Sequence, residues 1–567
     1  FNIDTDTTGA GAGANITFDG KILGDTTQVS GSTVLSDLSF DAGAGTATVT
    51  VTDIGYNGTS DVNEINSVAL TGGTISTNGK INTHTLTTGD KGSVTITGAL
   101  SLAGNTTIET DTAASQTLDG AISITSTTNA TGSETLTINS GSGAVDFGGL
   151  IGGTDGLGTV AINTTAGASG NEATGTIAIA GIGSADGSTT SGTDSGSTFT
   201  AGNTNTASIT LDGDMYFTDG NTLFEATSGN TIINNQSTGA VTDFITAADS
   251  IEFKGGTLHV KETGVSIATS NGAVTINSID GDHDETVTID AGSGAVSVGR
   301  IGGTNASGEG IKSVAITSSH ATGITLTGNI TTSDTADSDV TLTGKVVING
   351  DVDIDTSAGT DGDITFTSTI VGADGTNDDL ILDTGGGALT FHATTTIGAG
   401  DSPLSTLDIA QGGGTVALTI PQIGDASDDG VSGVVRIGTS SSTSVTMRDQ
   451  TYRFGTGNVT ITADTTGTIF STAGNSTVDL AGGNFLITGA AKVSNGTLDI
   501  NSAGGDIEIT GAIVGHTGGD EVLILDDNSG GSSTAVITLG GNVGADAGSA
   551  SLLKSVTAIA KGGIKLS

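Results

Sequence analysis

The sequence predicts an all-β protein, a right-handed parallel β-helix (a β-solenoid) built from degenerate strand–turn repeats. Three observations favour this fold: short segments alternate polar with apolar residues, Gly-rich turns separate them, and long passages recur. The clearest recurrence joins SETLTINSGSGAVDFGGLIGG (133–153) to DETVTIDAGSGAVSVGRIGG (284–303). Units this small cannot bury their own apolar faces, so repetition indicates that they stack on one another.

The predicted strands alternate Thr or a charged residue with Val, Ile or Leu. Examples are TATVTVT (46–52), ETLTIN (134–139) and NVTITAD (458–464). This two-residue period is typical of a half-buried strand, and the Gly, Asn, Asp and Ser between strands are turn residues. No long segment has helical spacing. We expect turns of roughly 20–25 residues, each stacked about 4.8 Å above the last.

A turn motif of the form Asp/Asn–x–Gly/Asn–x–Gly marks the long repeat. It begins at Asp41, Asn139, Asp290, Asp383 and Asp526. Its spacing predicts one continuous repeat solenoid over 1–567, with approximate copies at 1–90, 91–206, 207–330, 331–443 and 444–567. The competing architecture is a string of β-sandwich domains, which usually contain a core Trp or Tyr and clear linkers.

Charge and composition restrict the partners. The 567 residues include 61 Asp and Glu against 15 Lys and Arg, a net charge of −46. Nucleic acids and anionic membranes both require a cationic face, so neither is an expected partner. No run of about 18 apolar residues is present, so we expect no membrane insertion by a helix. The chain has no Cys, which excludes a disulfide scaffold.

Several segments resemble one class of bacterial surface protein. They are, in order, TYRFGTGNVTITADTT (451–466), DIEITGAIVG (506–515), DEVLILDD (520–527) and LLKSVTAIAKGGIKL (552–566). Their order is similar to that in filamentous-haemagglutinin-like exoproteins and giant repeat adhesins, and SPLSTLDIAQGG (402–413) resembles a further strand of the typical repeat. The resemblance implies a secreted or cell-surface protein with a structural or adhesive role.

We therefore expect an extracellular structural protein that forms a filament, surface layer or adhesin stalk and has no catalytic activity. Its expected partner is itself, end to end or within a longer chain of the same repeats, because both ends match the middle of a repeat. One alternative is a ligand-binding adhesin segment for glycans or cell surfaces, with insertions such as Gly181–Asn205 as the place to look. A polysaccharide-active β-helix enzyme is a further alternative, but basic and aromatic residues are scarce.

Two acidic segments are candidate calcium sites; no other cofactor is expected. The candidate ligands are Asp280, Asp282, Asp284, Asp351, Asp353 and Asp355. The first three alternate as in the first half of a calcium loop, although Ala291 occupies the position of the loop's final Glu. The last three lie on one face of a predicted strand, where they repel one another unless a cation or solvent relieves them. The alternative interpretation is a solvated acidic face.

Overall fold

The computed structural model describes all residues other than 6–12, 25–35, 56–64, 84–91, 111–118, 165–173, 185–190, 227–230, 234–238, 262, 304–309, 334–337, 359–360, 375–376, 401, 411–416, 449–450, 465–466, 471–473, 495, 516–518, 528–533, 545–551 and 567. The described residues form strands, turns and bends and contain no helix, which confirms the all-β prediction. The described residues therefore include no helical segment that could span a bilayer.

The strands pair in parallel with segments one turn away along the chain, so they stack as a β-solenoid, as predicted. The length of a turn varies. Leu258 pairs with Ile279, whereas the step from Val160 to its partner Phe199 is nearly twice as long. The expected turn length holds for the short turns and is wrong for the long ones, because loops of different length are inserted between strands.

The chain divides into two compact units. The first comprises Phe1–Glu285 with Ile289–Gly294, and the second Thr286–Thr288 with Ala295–Ser567. The strand Glu285–Asp290 contains residues of both units. The five approximate copies expected from the sequence stay a prediction.

The other strands of the first unit stack in parallel ladders. In one of them, Ile96, Ile124 and Phe147 lie on successive turns with their side chains buried. The strands are Asn2–Asp4, Ile16–Thr17, Lys21–Ile22, Ser36–Asp41, Thr48–Val51, Asp53–Ile54, Ile65–Asn82, Gly92–Glu109, Asp119–Ile124, Thr128–Ala130, Leu136–Asn139, Val145–Phe147, Val160–Ile162, Ile177–Ile179, Ser197–Asn203, Ile209–Leu211, Met215–Thr218, Gly220–Ala226, Thr231–Ile233, Thr242–Thr246, Ile251–Gly255, Leu258–Val260, Gly264–Ala268 and Val274–Gly281.

The second unit repeats this construction. Val340, Ile364 and Leu389 stack in one of its ladders. Its other strands are Val296–Ile301, Ile311–Thr317, Ile324–Leu326, Ile330–Thr331, Val340–Thr343, Val346–Ile348, Val352–Asp355, Ile364–Phe366, Ile370–Gly372, Asp379–Asp383, Leu389–Phe391, Thr396–Ile397, Thr406–Ala410, Ala417–Ile420, Gln422–Ile423, Val435–Ile437, Ser444–Met447, Thr451–Phe454, Val459–Thr462, Thr468–Phe470, Ser476–Leu480, Phe485–Thr488, Ala491–Val493, Thr497–Asn501, Ile507–Ile509, Ile513–Gly515, Glu521–Asp526, Ile537–Leu539, Leu553–Ile559 and Ile564–Leu566.

The recurrent turn motif forms a corner between ladders. At Asp383 the carboxylate accepts the backbone N–H of Gly385 at 2.9 Å, and Gly385 adopts a φ of 54°. The buried Thr384 hydroxyl donates to the carbonyl oxygen of Gly387 at 2.9 Å, closing the corner from inside. Asp41–Gly43 repeats the first of these contacts at 2.8 Å. An Asp or Asn that caps its own turn therefore explains why this motif recurs.

The scarce aromatic residues are concentrated in the first unit. Phe199, Tyr216, Phe224, Phe244 and Phe253 pack together, and we call them the aromatic cluster. The ring centroid of Phe224 lies 5.7, 6.5, 6.0 and 5.3 Å from those of the other four, in chain order. The aromatic cluster thus interrupts a core made mostly of Val, Ile and Leu.

Candidate functional site

Two of the candidate calcium ligands lie on an outer face of the second unit. Asp353 and Asp355 are half-buried and flank the buried Ile354 on the strand Val352–Asp355, which confirms that they share one face. Asp351 precedes the strand and is exposed. Asp383 pairs with Asp355 in the next turn, and Asp408 lies one turn beyond that, opposite Ile381. We call Asp353, Asp355, Asp383 and Asp408 the acidic cluster.

Asp355 has a structural contact of its own. Its Oδ1 accepts the backbone N–H of Ser357 at 2.8 Å and the hydroxyl of Ser357 at 2.7 Å. The same contact is seen at Asp383, so Asp355 caps its turn as the Asp of the recurrent turn motif does. Capping a corner is sufficient reason for an Asp at this position.

The acidic cluster has an unfavourable electrostatic environment at neutral pH. Burial raises the pKa of the Asp353 carboxyl, and the negative charges of Asp355, Asp383 and Asp408 raise it further. The buried Oδ1 of Asp353 has no hydrogen-bond partner among the described residues. Arg436 relieves part of the charge, because its guanidinium lies 3.3 Å from the Asp408 carboxylate. Such an exposed pair contributes little stability.

The other three candidates lie in the first unit, at and beyond the end of Val274–Gly281. Asp282 has the closest partners: its carboxylate lies 2.6 Å from Nε2 of His259 and 3.7 Å from Nζ of Lys261. Asp280, which pairs with His259 in the ladder, accepts the N–H of Gly281 at 3.0 Å. His259 and Lys261 escaped sequence reasoning because they lie one turn earlier, and only a known turn length would have placed them beside Asp282.

Asp284 adopts a φ of 44°, a left-handed conformation that Asp tolerates better than most residues. The next carboxylate, Glu285, is fully buried and accepts the backbone N–H of His283 at 2.8 and 2.9 Å. Burial raises the pKa of Glu285. The acidic residues of 280–285 therefore differ from one another in their local contacts.

The described residues contain no ready-made metal site. Within the described part of the chain, no three His, Asp, Glu or Cys residues are grouped so that they could hold one metal ion.

We predict that calcium acts locally and that chelation changes the melting temperature only modestly. The reason is that Asp282 and Asp355 already have protein partners and that the predicted sites do not recur along the chain. Melting curves recorded with calcium and with a chelator test this prediction. The Asp353→Asn variant, which removes one candidate ligand, is the control: a shift in melting temperature caused by calcium at this site should be smaller in the variant. Complete unfolding on chelation would contradict the prediction, because calcium would then be an obligatory folding partner.

We also predict that stability decreases as the pH rises above about 4, the ordinary pKa of a carboxyl group. Burial is the main cause of a raised pKa at Glu285, Asp353, Asp429 and Asp499. A carboxyl with a raised pKa binds its proton more tightly in the folded state, so stability is lost as the pH rises from its ordinary pKa, about 4, through its folded pKa. A lowered pKa, as at Asp37, acts in the opposite direction but below about pH 4.

Melting temperatures measured from pH 4 to 8 should therefore decline as the pH rises, and Asp353→Asn should make the decline smaller. A melting temperature that stays level or rises from pH 4 to pH 8 would contradict this assignment.

An open groove of about 460 Å³ lies on the outer face of the first unit. Its lining includes Thr74, Ala99, Ser101, Asn129 and Asp155, which are small or polar. The groove is distinct from the insertion suggested by sequence. In that insertion, residues 185–190 lie outside the described residues, and the described remainder continues the ladders through Ile182 and the strand Ser197–Asn203.

Comparison with known proteins adds no relative. No protein-family model matches this chain, and searches of curated proteins and of solved structures found no significant match. The fold and the chemistry of its outer faces are therefore the observations on which a functional proposal rests.

Proposed function

We propose that this chain is an extracellular structural protein, a segment of a surface filament, surface layer or adhesin stalk without catalytic activity. The observation that carries the proposal is the continuity of the ladders within each unit. Buried Val, Ile and Leu of one turn lie on those of the next, and parallel backbone hydrogen bonds join the turns. Extending such a unit requires separating whole turns, each held by several backbone hydrogen bonds and a buried apolar layer.

The outer faces support the same role. Polar and acidic residues alternate outward with the buried apolar ones, as in Val352–Asp355, and the chain carries a net charge of −46. A strongly acidic exterior keeps extended molecules soluble and limits nonspecific association. Because the edge of one turn is complementary to the next, the proposed partner is further turns of the same repeats, in the same chain or in a second copy.

Immunogold labelling of the cells that make the protein tests this proposal. Antibodies against the second unit should decorate extended material on intact cells, whereas antibodies against a cytosolic marker should not. Labelling that appears only after the cells are made permeable would contradict an extracellular role.

A second candidate function, glycan binding by an adhesin segment, is favoured by the groove at Ser101. Hydroxyl and amide groups on its walls suit the hydroxyl groups of a sugar, although the lining includes no aromatic ring. A glycan-array screen of the protein and of Ser101→Tyr, which narrows the groove with a bulky side chain, tests this function. Binding that is lost in the variant would support it, and no binding by the native protein would contradict it.

A further inference from the structure

One side chain at the start of many strands reaches the backbone of the next turn. The best run joins Asn458, Asn484, Asp506 and Val536 in the second unit. The N–H of Asn484 donates to Oδ1 of Asn458 at 3.1 Å. The N–H of Asp506 donates to Oδ1 of Asn484 at 2.8 Å, and that of Val536 to Oδ1 of Asp506 at 2.8 Å. A side-chain oxygen thus accepts an amide from the following turn at three successive junctions.

The backbone is bonded in the opposite direction at the same junctions. The N–H of Val459 donates to the carbonyl oxygen of Asn484 at 2.8 Å, and the N–H of Phe485 to that of Asp506 at 2.8 Å. Each of these junctions therefore holds two reciprocal hydrogen bonds, one through the backbone and one through a side chain. Asn458 and Asn484 each directly precede a strand, and their side-chain oxygens accept an amide N–H of the following turn just before the backbone ladder begins.

A column of closely packed glycines precedes these residues. A Cβ added to Gly483 would overlap the carbonyl oxygen of Gly457, and one added to Gly505 would overlap that of Gly483. Only glycine fits between the turns at this point. The turns can therefore stack this closely only when Gly457, Gly483 and Gly505 are aligned.

We propose that Asn458, Asn484 and Asp506 form a register clip, a device that fixes which residue of one turn pairs with which residue of the next. A one-residue slip is already prevented, because it would move every core side chain to the outside. A two-residue slip keeps the alternation of inward and outward side chains, so hydrophobic burial alone does not prevent it. It would remove the side-chain acceptor from each amide and place Phe485 or Ala481 in the glycine column.

The clip residues are exposed, so each bond contributes modestly to stability and chiefly to specificity. The same contact recurs at independent positions in both units. The further acceptors are Asn15, Asn105, Asn129, Asn221, Asn329, Asp339, Asp363 and Asn475. In the best run the sequence signature is Gly followed by Asn or Asp and an alternating strand, as in GNVTIT (457–462), GNFLIT (483–488) and GDIEIT (505–510).

Hydrogen exchange on the full chain tests the clip at single amides. Asp506→Ala removes the acceptor of the Val536 amide and should speed its exchange roughly tenfold, the factor equivalent to one hydrogen bond. Asp506→Asn keeps the acceptor, as the clip itself does at positions 458 and 484, and should leave the rate within about twofold. Equal rates in the two variants would overturn the proposal.

Disulfide trapping reports register directly, because the native chain has no Cys. Leu486 and Glu508 are paired, so Cys at both positions should cross-link in the otherwise native chain. Cys at Leu486 and Thr510, two residues out of register, should cross-link more readily in the Asn484→Ala background than in the otherwise native chain, although the glycine column still opposes the slip. An unchanged cross-linking pattern in that background would overturn the proposal. If either alanine variant fails to fold, Asn105→Ala in the first unit provides the same test, because Asn105 accepts the N–H of Thr135. Faster exchange of the Thr135 amide would support the proposal, and unchanged exchange would overturn it.

Discussion

Replacing Phe224 with Ala should destabilise its part of the first unit by about 3–5 kcal/mol, the range for large buried aromatic residues. Phe224 is fully buried, and its ring contacts the four other members of the aromatic cluster. Truncation leaves a cavity among the buried rings, where the backbone ladders on both sides of the strand limit collapse. The free energy of opening, measured by hydrogen exchange at Gly220–Ala226 and Ile251–Gly255, reports the loss.

Two variants control for this effect. Phe224→Leu refills most of the volume and should cost less than half as much. Phe366→Ala removes a buried ring whose stacking partner is Phe391, with centroids 5.7 Å apart, and should destabilise the second unit without changing exchange in the cluster. A loss below about 1.5 kcal/mol for Phe224→Ala would show that the cluster is not a principal source of stability.

The second large effect is expected from Gly120→Ala. A Cβ at this position would overlap the carbonyl oxygen of Gly92 in the preceding turn, so two turns must separate. We expect a loss of at least about 3 kcal/mol at the junction of Asp119–Ile124 with Gly92–Glu109, because strand hydrogen bonds and the buried layer are disturbed together.

Gly20→Ala is the matched control, since among the described residues no heavy atom beyond Gly20 and its two chain neighbours lies within 4 Å of its added Cβ. This change should alter stability by less than about 1 kcal/mol. Limited proteolysis of the two purified variants, together with hydrogen exchange of the amides in Asp119–Ile124, provides the comparison. Equal resistance of the two variants would contradict close stacking at Gly120.

Sequence predicted the fold class because its two signals are local. Alternation defines the inward side chains of each strand, and the Asp–x–Gly–x–Gly motif defines a corner through contacts within a few residues, as at Asp383. The length of a turn is not local information. Because inserted loops vary, the step from Val160 to Phe199 is nearly twice the step from Leu258 to Ile279. The aromatic cluster was missed for the same reason.

The candidate site was predicted less completely than the fold. The shared outer face of Asp353 and Asp355 followed from the two-residue period and is confirmed. The contact of Asp282 with His259 did not follow, because it depends on a neighbouring turn that precedes it in the chain. The sequence does not predict the register clip, because Asn and Asp before a strand are also ordinary turn residues. Their role depends on which amide of the following turn lies next to them, and that requires the turn length.

Distances between spin labels in the second unit test the stacked-turn arrangement most directly. Ile381 connects through Asp408, Arg436, Thr460 and Leu486 to Glu508, five pairings in all, and through Thr538 to Lys565, seven pairings. At about 4.8 Å per turn, labels on Cys at 381 and 508 should lie about 24 Å apart, and those at 381 and 565 about 34 Å apart. A narrow distribution at each distance is the predicted result. Distances that do not increase with the number of pairings would contradict a parallel β-solenoid.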